Sequence, residues 1–363
     1  MSICFDSERW TAVRENYGAW WDHRLDRPLI ELAVPNRDPG RPCPAAPLLS
    51  QATCADLSIP VEDLVDRFDW ELSRYTFYAD SYPIVNMHTF GPGVAAAFCG
   101  AILDNSIGAV WFHPTHPDIP IEDLHLEYEA DNKWLNRIKE FCAAAMQRWN
   151  GNVLVSMTDL GGNLDILQTF LPGERLLMEL YDNPAEVKRL LSEEHELWHR
   201  FYGEINSILQ PVNPGYSDWS TIYSATPSYI LQCDFSYMIG PAMFEEFALP
   251  EIAATTKRLD HTIYHLDGVG QLPHLDMLLA LPELDGVQWV FGDGSPGATE
   301  WPEVRRRIAD SGKLAQTYGS LEDLEAIIKQ AGRAGGIHHR AGIDGATPDD
   351  EIRRRLAKFG VHS

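Results

Sequence analysis

The sequence predicts an α/β protein: a single (β/α)8 barrel of the TIM type over residues 29–363, with loop insertions, behind an N-terminal extension of residues 1–28. Three observations predict it. Eight short apolar runs of strand type occur, and in the second half each is followed by a turn signal and then a helical pattern, the alternation of parallel β/α units. The length of 363 residues fits one barrel with insertions, although length alone would suggest two domains. The turn after the first strand reads PNRDPG, which is not the glycine-rich phosphate turn of a doubly wound open sheet.

Taken in order, LIELAV from Leu29 is the first strand, and the proline-rich stretch from Pro35 to Pro47 is a long loop after it. PIVNMH from Pro83 and VLVSM from Val153 follow. The clearest helix opens at Asp182, Asn183 and Pro184, a cap and a first-turn proline. Val187, Leu190, Leu191, Trp198, Phe201, Ile205 and Ile208 then recur at helical spacing to about Leu209. Four strand-plus-helix units succeed it: YILQCDF with a helix from Pro241, TIYHL with one from Gln271, GVQWV with one from Pro302, and KLAQT with one from Leu321. GGIHH from Gly335, with a helix from Pro348, completes the count of eight.

Composition removes several classes of function. Twenty-nine Lys and Arg against 53 Asp and Glu give a net charge of -24, which repels phosphate backbones and anionic lipid, so nucleic acid and membrane are excluded as partners. Hydrophobic residues at 45% supply a large core, which excludes general disorder. Asp6, Glu8 and Arg9 interrupt any leader-type apolar run, no 18-residue apolar stretch follows, and the six cysteines contain no C-x-x-C. The expectation is a cytoplasmic protein with reduced thiols.

In a β/α barrel the chemistry sits at the carboxyl ends of the strands. Those ends here carry Asn86 and His88, Ser156 to Asp159, Gln232 and Asp234, His265 and Asp267, Gln288 and Trp289, Gln316 and Tyr318, and His338 and His339. His265 and Asp267 stand two apart in an extended segment, so both point to one side, and Gly268 lets the backbone turn away. Imidazole and carboxylate suit a divalent metal such as zinc, with His338 or His339 as third ligand; the same groups could equally hold a substrate with no metal. Asp159 is the candidate for proton handling, Asn163 a candidate substrate contact beside it, and Trp289 and Tyr318 candidate pocket walls. Asp165 reads as a helix cap, and Cys233 as a buried inert thiol on the opposite face of its strand.

Four segments carry a family resemblance: FGPGVAAAFCGA followed by VWFHP, TDLGGNLDIL followed by LYDNPAEVKRLL, LQCDFSYMIGPAMFEEFALPEI, and IYHLDGVGQLPHLDMLLALPELDGVQWV. Together, from about Phe90 to Val290, they resemble the uroporphyrinogen decarboxylase superfamily, which includes corrinoid-linked methyltransferases. The resemblance implies a TIM barrel with a deep cleft at the strand carboxyl ends. It implies two competing activities. The porphyrinogen decarboxylases use an arginine-rich N-terminal motif, whereas this chain has ENYGAWWDHRLDRP there. The methyltransferases bind zinc through H-x-C and a later Cys; this chain has His265 and Asp267, and no Cys after Cys233. The expectation is therefore methyl transfer between a small methylated compound and a corrinoid supplied by a partner protein, with a harder metal site. The alternatives are a cofactor-free decarboxylase of a small acid or porphyrinogen-like substrate, and a non-catalytic ligand-binding barrel.

Overall fold

A computed structural model describes residues 3–361. Its strands are β1 (Leu29–Val34), β2 (Thr76–Ala79), β3 (Ile84–Val85), β4 (Ile102–Asp104), β5 (Trp111–His113), β6 (Leu154–Val155), β7 (Ser228–Gln232), β8 (His261–Asp267), β9 (Gly286–Val290), β10 (Leu314–Gly319) and β11 (Ile337–Ala341). All eight predicted strands are present, beginning within two residues of the expected positions. β2, β4 and β5 lie outside the eight predicted strands.

The protein is α/β with a large, mostly parallel sheet in the order β2-β1-β11-β10-β9-β8-β7, in which only β2 runs antiparallel. β3 and β6 form a separate parallel pair, and β4 and β5 a small hairpin. The hydrogen-bonded ladder does not close into one ring, which corrects the simple picture of eight paired strands. Side chains occupy the edges where ring pairing would occur. Asn213 binds both backbone groups of Val155 in β6 at 3.0 Å each, and Asp218 accepts the Ile230 N–H of β7 at 2.7 Å. At β1, β2 takes the outer edge, and Asp80 and Ser81 accept the N–H groups of Ile30 and Leu32. Side chains at β6 and β7, and β2 with Asp80 and Ser81 at β1, thus satisfy backbone groups that a closed ring would pair strand to strand.

The long helix runs Pro184–Leu209, as its periodicity predicts, and buries Val187, Leu190, Trp198, Phe201 and Ile205. The helix expected from Pro241 to about Leu259 is broken instead. A π-turn at Phe244–Ala248 precedes Leu249–Thr255, because Pro250 has no N–H to continue an α-helical ladder. The N-terminal extension is not peripheral: the helix Ser7–Trp21 buries Tyr17 and Trp20 completely, and Tyr17 reaches Glu31 of β1 at 2.6 Å. Among the described residues no helix is long and apolar enough to cross a membrane.

Candidate metal centre and its hydrogen-bonded wall

Strand register sorts the site into two layers. In the deeper one Gln232, His265, Gln288, Gln316, His338 and Leu29 stand side by side across β7 to β11 and β1. Two residues further along, Asp267 pairs with Val290 and Tyr318 with Arg340, which in turn pairs with Glu31. Alternation therefore turns these side chains to one face, and the residues between them to the other.

From His265 to His338 the deeper layer is one chain of hydrogen bonds, continued to Glu31 of the upper layer, and its direction can be read from that end. Glu31 accepts from Tyr17 at 2.6 Å and from Thr221 at 2.9 Å, and lies 3.0 Å from His338 Nε2. Burial raises its pKa, but His338, Arg340 and Tyr17 together outweigh burial and hold it below the ordinary glutamate value. As an ionised carboxylate it only accepts, so His338 carries its proton on Nε2. His338 Nδ1 then accepts from Gln316 Nε2 at 3.2 Å, Gln316 Oε1 accepts from Gln288 Nε2, and Gln288 Oε1 accepts from His265 Nδ1–H. His265 is left with a bare lone pair on Nε2.

That lone pair points at two carboxylates. His265 Nε2 lies 3.8 Å from Asp267 Oδ2 and 4.0 Å from Asp234 Oδ1, and all three ligand atoms fall within 4.8 Å of one another. Tetrahedral zinc ligands stand roughly 3.4 Å apart, given bonds of about 2.0–2.2 Å. Small rotations of the partly exposed carboxylates close the difference, so the donor set fits a divalent cation. Partial burial raises the Asp234 pKa, His265 opposes the rise, and the like charge of Asp267 adds to it. Trp219 packs edge-on against His265, with centroids 5.0 Å apart. A cavity of about 590 Å³ adjoins the cluster, lined by Gln232, Asp234, Asp165 and the aromatic hairpin residues Trp111 and Phe112.

The structure places the remaining candidates as follows. Neither His338 nor His339 joins the metal group; Asp234 takes the third place. Three strand spacings, at about 4.8 Å each, separate His338 from His265, and its ring nitrogens are both engaged. His339 faces the other way, onto Thr317 and the Ser320 carbonyl, and burial lowers its pKa to about 4. Trp289, one residue beyond Gln288, points away from the strand-end site: it packs on Trp301 and lines a small cavity between the sheet and its helices, beside Arg305. Asn163, held at φ 25°, turns to Glu251 in the helical layer. Asn86 binds the Trp219 carbonyl at 2.9 Å, and His88 is exposed nearby. Asp165 does not cap its own helix but accepts the N–H groups of Asp234 and Phe235, fixing the turn that carries Asp234. Cys233 is buried, with its pKa pushed well above normal by desolvation, as an inert thiol should be. Asp159 lies behind the cavity, bonded to the N–H groups of Gly161 and of Gly93 in the cavity wall; burial raises its pKa to about 7.

Glu31, Arg340 and Trp219 escaped the sequence reading as site residues, whereas Gln316 is among the polar strand-end residues it picks out. Glu31 had a signal, since it is the single charge in the otherwise apolar LIELAV. Trp219 had none, because it comes from an irregular segment.

Gln288→Leu is expected to weaken divalent-metal affinity about 10- to 100-fold while leaving the fold intact, because His265 loses the acceptor that fixes its tautomer. Calorimetric titration with Zn²⁺ measures it; unchanged affinity would show the relay to be irrelevant.

No family model matches the chain, and no curated protein does. A solved structure, a methyltransferase from Methanosarcina mazei, is similar to it in fold, with a TM-score of 0.52 over 89% of this chain and 95% of that one. At 11% identity the likeness concerns the fold alone.

Proposed function

We propose that the protein is a methyltransferase that moves a methyl group between a small methylated compound and a corrinoid carried by a partner protein, on a (β/α)8-type wall whose seams are closed by side chains. The observation that carries this reading is the His265 lone pair facing Asp234 and Asp267. Those three residues would hold a divalent ion such as zinc, which supplies Lewis acidity toward a heteroatom of the substrate. A nitrogen and two carboxylates make a hard set, better suited to an oxygen or nitrogen donor than to a thiol. Gln288 holds the imidazole, Asp165 holds the Asp234 turn, and the adjoining cavity accepts the substrate. The name of the similar fold supports the reading at the level of reaction class. The corrinoid partner has support from exposed apolar side chains near the strand carboxyl ends: Trp111 and Ile102 on the hairpin, Tyr237 and Met238 after β7, and Val269 after β8.

Asp159 is the group assigned to proton exchange, because its pKa of about 7 leaves it divided between acid and base near neutrality. Asp159→Asn is expected to keep metal affinity and lose turnover. It also has a stability signature. The folded carboxyl binds its proton more tightly than the unfolded one, whose pKa is about 3.9, so Asp159 makes stability fall as pH rises through that interval. The Asn variant should flatten this part of the pH profile in thermal unfolding; an unchanged profile would show that Asp159 ionises normally.

The decarboxylase reading draws on one observation, Arg340 beside a second cavity at the strand ends. Titration with a methylated corrinoid protein decides between the two. Demethylation of the cobalt centre that depends on added metal supports methyl transfer, whereas metal-independent release of carbon dioxide from a small acid supports decarboxylation.

A further inference from the structure

The wall has a second pole. Arg340 sits in the upper layer, in register with Tyr318 on one side and Glu31 on the other. A cavity of about 510 Å³ lies against these three residues and Thr221, at the carboxyl ends of β1, β10 and β11. Among the residues lining the two strand-end cavities, Arg340 is the one Lys or Arg.

Its guanidinium is aimed but not consumed. Nε lies 3.6 Å from Glu31 Oε2, and the side chain remains 42% exposed. Glu31 already has its hydrogen bonds from Tyr17, Thr221 and His338, so it orients Arg340 without needing its terminal nitrogens. Those nitrogens, and the Tyr318 hydroxyl beside them, have no hydrogen-bond partner among the described residues. A planar fork of free donors facing a cavity matches a carboxylate.

We propose that Arg340 anchors the carboxylate of a small monocarboxylic substrate whose other, heteroatom-bearing end lies toward Asp234, His265 and Asp267. The second half of this statement rests on the metal-centred reading above; the first does not.

Charge selects a monoanion over a phosphate. One guanidinium, partly offset by Glu31, faces a mouth that also carries Asp267 and Asp234, so a dianion would meet more repulsion than attraction. The neighbouring helix Leu321–Ala331 offers no phosphate cradle either, because Ser320 and Asp323 close its N-terminus with a reciprocal capping box. Size agrees as well. β8 and β11 are three strands apart, on the order of 14 Å along the wall, and inward-pointing side chains shorten the gap to what a metabolite-sized molecule spans.

The test is calorimetric titration of the full chain, with and without added Zn²⁺, using 6-methoxyhexanoate, long enough to reach from Arg340 toward His265, and its neutral counterpart 6-methoxyhexan-1-ol. The wild type should bind 6-methoxyhexanoate at least tenfold more tightly than the alcohol. Arg340→Gln should bring that ratio near one with an unchanged thermal unfolding curve, and Arg340→Lys should restore part of it. Equal affinities in the wild type, no detectable binding of 6-methoxyhexanoate, or a ratio that survives in Arg340→Gln overturns the anchor. If Arg340→Gln abolishes the preference while Zn²⁺ changes neither affinity, the anchor stands and the metal-centred reading fails.

Discussion

His265→Ala is expected to lower divalent-metal affinity by at least a hundredfold and to abolish turnover. Imidazole Nε2 is the only nitrogen donor of the cluster, and the two carboxylates left behind would face each other without it. Their mutual repulsion, already visible in the upward pressure of Asp267 on the Asp234 pKa, would then favour protonation over metal binding. The substitution removes a side chain that is 13% exposed, so the fold should survive, and circular dichroism would verify it. Metal analysis after dialysis against a buffered Zn²⁺ solution gives the answer. Equal metal content in wild type and variant would dismiss the cluster as a ligand set. The comparison with Asp159→Asn separates the two roles, since only His265→Ala should lose the ion.

Asp80→Ala should cost about 3–5 kcal/mol of stability, the range for breaking a buried ion pair by removing one partner. Asp80 is 1% exposed and holds three segments at once. Its carboxylate receives both terminal nitrogens of Arg27 at 2.7 and 2.8 Å, the Asn16 amide at 2.8 Å and the Ile30 N–H at 2.9 Å. Truncation leaves the Arg27 charge, which is largely buried, without its counter-ion, and a β1 backbone donor without an acceptor. Urea unfolding monitored by tryptophan fluorescence would measure the loss. A change below about 1 kcal/mol would mean that water replaces the carboxylate without penalty.

Much of this was legible before the fold was known. Strand positions followed from short apolar runs bounded by turn residues, because burial on both faces selects continuous Val, Ile and Leu. His265 and Asp267 followed from period two, which survives any error in the strand ends. The same rule, applied to Gln288 and Trp289 together, should have rejected Trp289, since neighbours on a strand cannot share a face. The metal set was half legible: Asp234 was visible as a strand-end polar residue, but its partnership with His265 depends on register between β7 and β8, which no local pattern encodes. His338 and His339 drew attention as imidazoles, yet ligation depends on distance around the wall, and one of them serves the relay while the other faces the helices. Tyr17 carried no signal at all. Its role arises because a helix outside the repeating units folds back onto β1.

The side-chain closure of the sheet edges has a mechanical consequence. Separating two paired strands breaks several hydrogen bonds in concert, whereas parting β6 from its cap needs only a rotamer change at Asn213, and at β7 only one at Asp218. Amide protons at Val155 and Ile230 should therefore exchange with deuterium earlier than those in the middle of β8 to β10. The wall would yield along these lines first, widening its mouth for a bulky visitor while the parallel strands that carry His265, Gln288, Gln316 and His338 keep their register.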